Sequence, residues 1–400
     1  MKVLLLCNKA PYPANDGSSI AIYNMALGLI SNGIELHLLT INTKKHFKPD
    51  AAVPEAFKTA THYQSVYRDT GTGLFGALLN LFSSNSYFVS RFHFPEFKQQ
   101  LQALLEKNQF DIIQLEGLFM ASYLPTIKKY SKAKVVLRAH NIEHHIWKRH
   151  IASTTGLKQW YLKLQNKRLK RFEESVFPQC QAIVPISEND TDYLRKTITK
   201  VPLYTCITGV DVQAYQKHLH NPQKEHSVFS FGSMDWLPNQ EAVRWFVKNC
   251  WKHVLAKVPT AKLIIGGRSM PLDLFQLTEP NIIIEENVEN AAEFFAAHSI
   301  LIVPLLSGSG LRIKIIEGMA YGKAIVSTSV GAEGIAAQAG THLLIANTPQ
   351  EFSNAVIELL SNSALRENLQ LNAAKFAQQH FDNQQVVAGL VKFYNTLLHD

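Results

Sequence analysis

Ile300-Leu-Ile-Val-Pro304-Leu-Leu-Ser-Gly308-Ser309-Gly310-Leu311-Arg312-Ile-Lys314-Ile-Ile-Glu317-Gly-Met-Ala320-Tyr-Gly-Lys-Ala324-Ile-Val-Ser327 is the stretch that decides the fold. A β-branched run opens it and a glycine-containing loop follows. An apolar helical stretch then ends at Tyr321-Gly322, ahead of a second β-branched run. Strand, loop, helix and strand in that order specify a parallel βαβ unit. The first turn of a helix presents unpaired N–H groups and a partial positive charge, and Gly308 and Gly310 let a ligand approach the backbone closely. With Arg312 and Lys314 added, the loop from Gly308 through Ser309 and Leu311 is expected to hold a diphosphate. Glu317 is poorly placed for phosphate and suited to the hydroxyls of a ribose or hexose. Singly, each of these residues also fits a buried helix with a solvated charged edge; their ordered combination favours the anion site.

The same rhythm extends outward in both directions. Val3–Cys7, Glu35–Ile41, Asp111–Leu115, Val135–Ala139 and Ala182–Ile186 read as strands, with helices at Ser18–Ser31 and Phe94–Lys107 between them. After the polar stretch Gln216–His226 the pattern restarts at Val228–Phe231, Lys262–Ile265, Asn281–Ile284, Ile300–Pro304 and Ala324–Ser327. The fold class is therefore α/β, with two doubly wound, Rossmann-like domains expected to face a common cleft. Ligands gather beyond the carboxyl ends of such strands. That singles out the loops Asn8–Ser19, His140–His145, Gly232–Asn239, Gly266–Ser269 and Leu305–Lys314.

Bulk properties agree with a folded two-domain chain: 400 residues, 46% hydrophobic and 18% charged. Asn8 and Lys9 interrupt the opening apolar run too early for a signal peptide, and Leu74–Phe82 is too short to cross a bilayer. Cys7, Cys180, Cys206 and Cys250 are scattered, with no metal-clamping or redox pair among them. A net charge of +8 points to an anionic partner without identifying it.

Glu317-Gly-Met-Ala-Tyr-Gly-Lys-Ala-Ile-Val-Ser-Thr and Gly331-Ala-Glu-Gly334 resemble the donor-binding region of family 4 glycosyltransferases, retaining enzymes of the GT-B fold. Ser187-Glu-Asn-Asp190, Gly209-Val210-Asp211 and Phe231-Gly232-Ser233 follow the order found in that family. The resemblance implies that Glu317 contacts the nucleotide ribose, that the loop around Gly17 approaches the donor phosphates, and that Gly232 and Ser233 border the donor. Two departures stand out. The family's earlier glutamate falls on Ser309, and its usual Arg and Lys are missing from Gly232-Ser-Met-Asp-Trp-Leu-Pro-Asn239, leaving the phosphate charge to Arg312 and Lys314.

His140 follows the strand Val135–Ala139, and in similar glycosyltransferases a histidine here reaches the transferred sugar. It also fits a structural loop histidine, and His140-x-x-Glu143-His144 matches an inverted zinc-peptidase motif. Asp190-Thr-Asp192 has the form of a metal-holding pair, but Ser187 ahead of it makes helix capping the simpler reading. Lys158, Lys163, Lys167, Arg168, Lys170 and Arg171 lie among Trp160, Tyr161, Leu164, Leu169 and Phe172. They form either a solvated helix face or one that docks on an anionic membrane.

Residues 1–205 are thus expected to bind the acceptor and 206–380 the donor, with 381–400 packing back on the first domain. The expected enzyme is a retaining glycosyltransferase with His140, Arg312, Lys314 and Glu317 as catalytic residues, needing neither cofactor nor metal. It would work at the cytoplasmic side, taking a nucleotide diphosphate sugar as donor and a glycan, lipid-linked or small-molecule acceptor, and would bind no nucleic acid. A nucleotide-sugar epimerase of the same fold and a zinc peptidase using His140, Glu143 and His144 are the alternatives.

Overall fold

A computed structural model describes the chain apart from Asn15, Lys45, His46, Lys48, Thr72, Ser153, Thr199, His218, His220, Asn221, Pro222, Ser309, Asp400 and the side chains of Leu74 and Phe75. Two units result: Met1–Gly209 joined by Gln384–Asp400, and Val210–Asn383.

The first unit is built on six parallel strands: β1 (Lys2–Cys7), β2 (Glu35–Thr43), β3 (Gln64–Arg68), β4 (Ile112–Glu116), β5 (Lys134–Ala139) and β6 (Ala182–Pro185), ordered β3-β2-β1-β4-β5-β6. Side chains alternate across a strand, so Val3, Leu5 and Cys7 enter one apolar cluster and Leu4 and Leu6 another. Both sets are fully buried, which is why β1 reads as an unbroken apolar run. The helix Gly17–Ser31 is started by Asp16, whose carboxylate accepts from the backbone of Ser18 and Ser19 in a capping box. Its Met25 and Leu29 share a cluster with Val387, Leu390, Tyr394 and Leu397 of the last helix, Asn383–His399.

In the second unit β7 (Ser227–Ser233), β8 (Lys262–Arg268), β9 (Ile282–Glu286), β10 (Ile300–Val303), β11 (Ala324–Ser327) and β12 (Leu344–Ile345) are also parallel, in the order β12-β11-β10-β7-β8-β9. Each sheet starts at its centre, grows to one side, then returns to extend the other. The direction reverses between β1 and β4 and between β7 and β10, where the diverging loops leave room for a ligand. Two strands go beyond the sequence reading. β3 is an edge strand of five residues, three of them polar, and β12 has two residues, so neither carries a hydrophobic pattern.

Candidate functional site

At the β7/β10 reversal the structure brings together most of the residues expected to hold the donor. Gly232 has φ 153°, and a Cβ there would stand 2.9 Å from Lys314 Nζ and 3.0 Å from Asn239 Nδ2. The backbone angle calls for glycine, and a larger residue would also displace the flexible end of Lys314. Lys314 Nζ donates to Asn239 Oδ1 at 2.8 Å, and Asn239 Nδ2 donates to the Ser233 carbonyl at 2.8 Å. The β7 loop and the β10 loop are thereby tied to each other through one ammonium group. Gly308, at φ 123°, is packed similarly: its Cβ would lie 2.9 Å from the Trp236 ring and 3.0 Å from Arg312 Nη2.

Arg312 immediately precedes the helix Ile313–Ala320. Its guanidinium donates to the Gly310 carbonyl and lies 5.6 Å from the centre of the Trp236 ring, a cation–π distance. Leu311 continues the loop between them, and Ser309 lies outside the described residues. One turn into the helix, Glu317 accepts from Tyr215 Oη at 3.2 Å, and Tyr215 stacks on Tyr321 with ring centres 4.4 Å apart. Burial pushes the Glu317 carboxyl up to about 7, against the Tyr215 hydrogen bond and the Lys314 charge. Burial, and then the Arg312 charge, draw Lys314 down to about 8. Both groups therefore change charge close to neutral pH, where a bound ligand can set their state.

One expectation is corrected: that removing Arg312 or Lys314, both expected to face the cleft, would strand no buried partner. In the structure Arg312 is only 4% exposed and Lys314 supports Asn239, so both cations also hold the loops in place. Trp236, Asn239 and Tyr215 were not singled out by sequence, although the first two lie in a loop that was. Arg268 was missed as well. Strand register sets it opposite Ser233, where its Nε donates to Ser233 Oγ at 2.9 Å. A guanidinium thus stands beside the first strand of this unit, supplied by the neighbouring strand rather than by the loop itself.

The first unit holds the remaining candidates. Gly17 opens its helix beside Asp16, which is paired with Lys9, and a Cβ on Gly17 would meet nothing within 4 Å. The loop backbone there borders open space. His140 follows β5 directly, and its Nε2 lies 2.5 Å from Glu116 Oε2 at the end of β4. Glu116 is completely buried and also accepts from Arg138 Nη1 at 3.1 Å and from Gln114, which in turn accepts from Tyr394. Burial would raise the Glu116 carboxyl; the Arg138 charge and the His140 hydrogen bond outweigh it and hold the group at about 2. Glu116 was not anticipated, though a carboxylate ending the strand next to the reversal is a positional signal.

The zinc-peptidase motif is not assembled. His140 precedes the helix Glu143–Ala152, and the two histidines are held by different carboxylates: His144 Nδ1 lies 2.5 Å from Glu173 Oε2. Among the described residues the one metal-compatible group joins Glu35 and His37, at the start of β2, with His62, just ahead of β3, and there Lys2 Nζ already lies 2.8 Å from Glu35. In the D-x-D pair the acids part company. Asp190 is joined to Ser187, whose hydroxyl caps the helix Glu188–Thr197, and Asp192 pairs with Arg195 at 2.6 Å. The basic stretch lies on the helix Gly156–Val176. Arg168 is turned inward there, donating to the carbonyls of Asn80 and Leu81 at 2.9 and 3.1 Å. Among the described residues no helix is long and apolar enough to cross a membrane.

Comparison with known proteins matches residues 15–214 to the model of Glycosyltransferase Family 4 and residues 225–362 to Glycosyl transferases group 1. A Klebsiella pneumoniae protein, described as an uncharacterized 44.6 kDa protein in the cps region, is 23% identical over 98% of this chain and 99% of its own length. Among solved structures, sucrose-phosphate synthase from Thermosynechococcus elongatus superimposes with a TM-score of 0.71 at 15% identity, covering 100% of each chain. Anabaena HepE, solved with UDP and glucose, gives 0.63 at 12% identity over 98% of this chain and 99% of that one. The two halves of the chain thus match parts of one enzyme architecture, in the order in which they occur here.

Proposed function

Because this chain belongs to glycosyltransferase family 4, we propose that it transfers a sugar from a nucleoside diphosphate sugar to an acceptor with retention at the anomeric carbon and without a metal ion. The observation that carries the reading is the convergence at the β7/β10 reversal. Lys314, Arg312 and the start of the helix Ile313–Ala320 meet a backbone kept bare at Gly232 and Gly308. Such a place suits a diphosphate, and its fixed cations suit the charge that builds on the leaving group as the glycosidic bond breaks through an oxocarbenium-like state. Glu317 then takes the ribose hydroxyls, and Arg268 adds a further cation beside Ser233. His140, held by Glu116, contacts the transferred sugar.

Several observations support the finer points. The solved relative holding UDP and glucose supports a nucleotide-sugar donor. Capping by Ser187 and the Asp192–Arg195 pair account for the D-x-D without an ion. The relative in a cps region supports an acceptor belonging to cell-envelope polysaccharide synthesis. The donor is bound by Val210–Asn383 and the acceptor by Met1–Gly209.

The reading is tested by incubating the protein with a panel of nucleoside diphosphate sugars and candidate acceptors, with and without a chelator. Acceptor-dependent release of nucleoside diphosphate that persists in the chelator, and a product with the donor's anomeric configuration by proton NMR, are expected. Free altered sugar in the absence of acceptor would identify an epimerase instead. Activity restored only by magnesium or manganese would refute metal independence, and an inverted product would refute retention.

A further inference from the structure

We propose that the face formed by the helix Gly156–Val176 and the adjoining segment Leu78–Phe82 docks on an anionic phospholipid surface, with apolar side chains entering the lipid and lysines meeting its phosphates. The inference deepens the acceptor proposal above, since a lipid-linked acceptor is presented at such a surface.

The segment is fastened along the helix by three of the helix's side chains. Tyr161 Oη donates to the Ala77 carbonyl at 3.4 Å, Arg168 donates to the carbonyls of Asn80 and Leu81, and Gln165 Nε2 donates to Asn80 Oδ1 at 2.9 Å. Its polar groups are thus spent inward, while Leu78, Leu79 and Phe82 are left in solvent, Phe82 being 94% exposed. On the helix, Leu157 is 87% and Trp160 58% exposed. Five large apolar side chains on two adjoining elements exceed the scattered singles normal for a water-facing surface and mark an interaction site.

The charge around them selects the partner. Helical periodicity puts Trp160, Lys163, Lys167 and Arg171 on the side opposite the buried Leu162, Leu169 and Val176. Between this helix and Glu143–Ala152 lies a cavity of about 570 Å³ whose lining includes Lys148, Lys163, Lys167 and Lys170. Glu174, 3.7 Å from Lys170, offsets one of these charges. Apolar anchors bordered by cations match a layer whose interior is hydrocarbon and whose surface carries phosphate. A nucleic acid would use the lysines but has no use for an exposed Leu157 or Phe82.

The test is flotation of the whole chain with vesicles of phosphatidylcholine, with and without phosphatidylglycerol. Binding is expected only when phosphatidylglycerol is present. Each cation near such a surface contributes about fivefold to partitioning, so Lys163→Glu, Lys167→Glu and Arg171→Glu together should weaken binding at least about a hundredfold. Phe82→Ser with Leu157→Ser should weaken it by about tenfold or more, and brominated lipid should quench tryptophan fluorescence in the parent but not in Trp160→Phe. Nucleoside diphosphate binding should be unchanged in every variant, which separates failure of this inference from failure of the glycosyltransferase reading. Parent and variants floating alike, or a parent that ignores phosphatidylglycerol vesicles, would overturn the proposal. So would retention on polyuridylate that needs the lysines while vesicle binding is absent, because that is the signature of a nucleic-acid surface.

Discussion

Glu116 Oε2 lies 2.5 Å from His140 Nε2, at the carboxyl ends of adjacent strands β4 and β5. A carboxylate held at about 2 is ionised at neutral pH and can only accept, so Nε2 carries the proton in this contact. Nδ1 is then the ring atom left for a ligand. His140→Ala should lower turnover by about a hundredfold or more while leaving nucleoside diphosphate affinity nearly intact, the range typical of losing one preorganised contact to the transition state. Glu116→Gln should give a smaller loss in kcat, because the ring is no longer held by an anion. Steady-state kinetics check both. An unchanged kcat in Glu116→Gln would make the carboxylate purely structural.

Gly232→Ala should impair the donor site without unfolding the unit. The added Cβ falls 2.9 Å from the end of the Lys314 side chain, which has to shift, and φ 153° strains any residue but glycine. A cost of about 1–3 kcal/mol in urea denaturation is expected, with weakened nucleoside diphosphate binding by calorimetry. Normal binding would mean that the Lys314 position is not used.

Glu317 gives a pH dependence of definite sign. Its folded-state value of about 7 lies above the ordinary 4.5, so the folded chain binds the proton more tightly. That stability is fully present below about pH 4.5 and is lost as pH rises through about 7. Glu317→Gln should remove this loss, making the variant about 1–2 kcal/mol more stable than the parent at pH 8, while weakening donor binding. Thermal melts at pH 5 and pH 8 check the sign. A variant less stable than the parent at pH 8 would contradict it.

Much of the fold was legible because both sheets are buried on their two faces. Apolar strands such as Leu4–Leu6 and Ile300–Val303 cannot be placed elsewhere. The edge strands β3 and β12 escaped notice because the first is mostly polar and the second only two residues long, whereas the edge strands β6 and β9 were readable from their apolar runs. At the site, residues clustered in sequence were readable: Gly308, Arg312, Lys314 and Glu317 announce themselves by spacing. The partners that fix them were not. Asn239 reaches Lys314 from 75 residues away, and Tyr215 reaches Glu317 from 102. Arg268 comes beside Ser233 through strand register, a relation that exists only once the sheet has formed.

The central claim is that a diphosphate is bound where Lys314 and Arg312 meet Gly232 and Gly308. The direct test is calorimetric titration of the parent, Lys314→Ala and Arg312→Ala with UDP, GDP and ADP, alongside circular dichroism to confirm folding. One nucleotide should bind the parent, and each variant should lose about 1.5–3 kcal/mol of that affinity, the worth of a hydrogen bond to a charged group. Binding to the parent should also weaken as pH rises through about 8, where Lys314 gives up its charge. Folded variants that bind the same nucleotide as tightly as the parent would place the phosphate site on another loop and contradict the account.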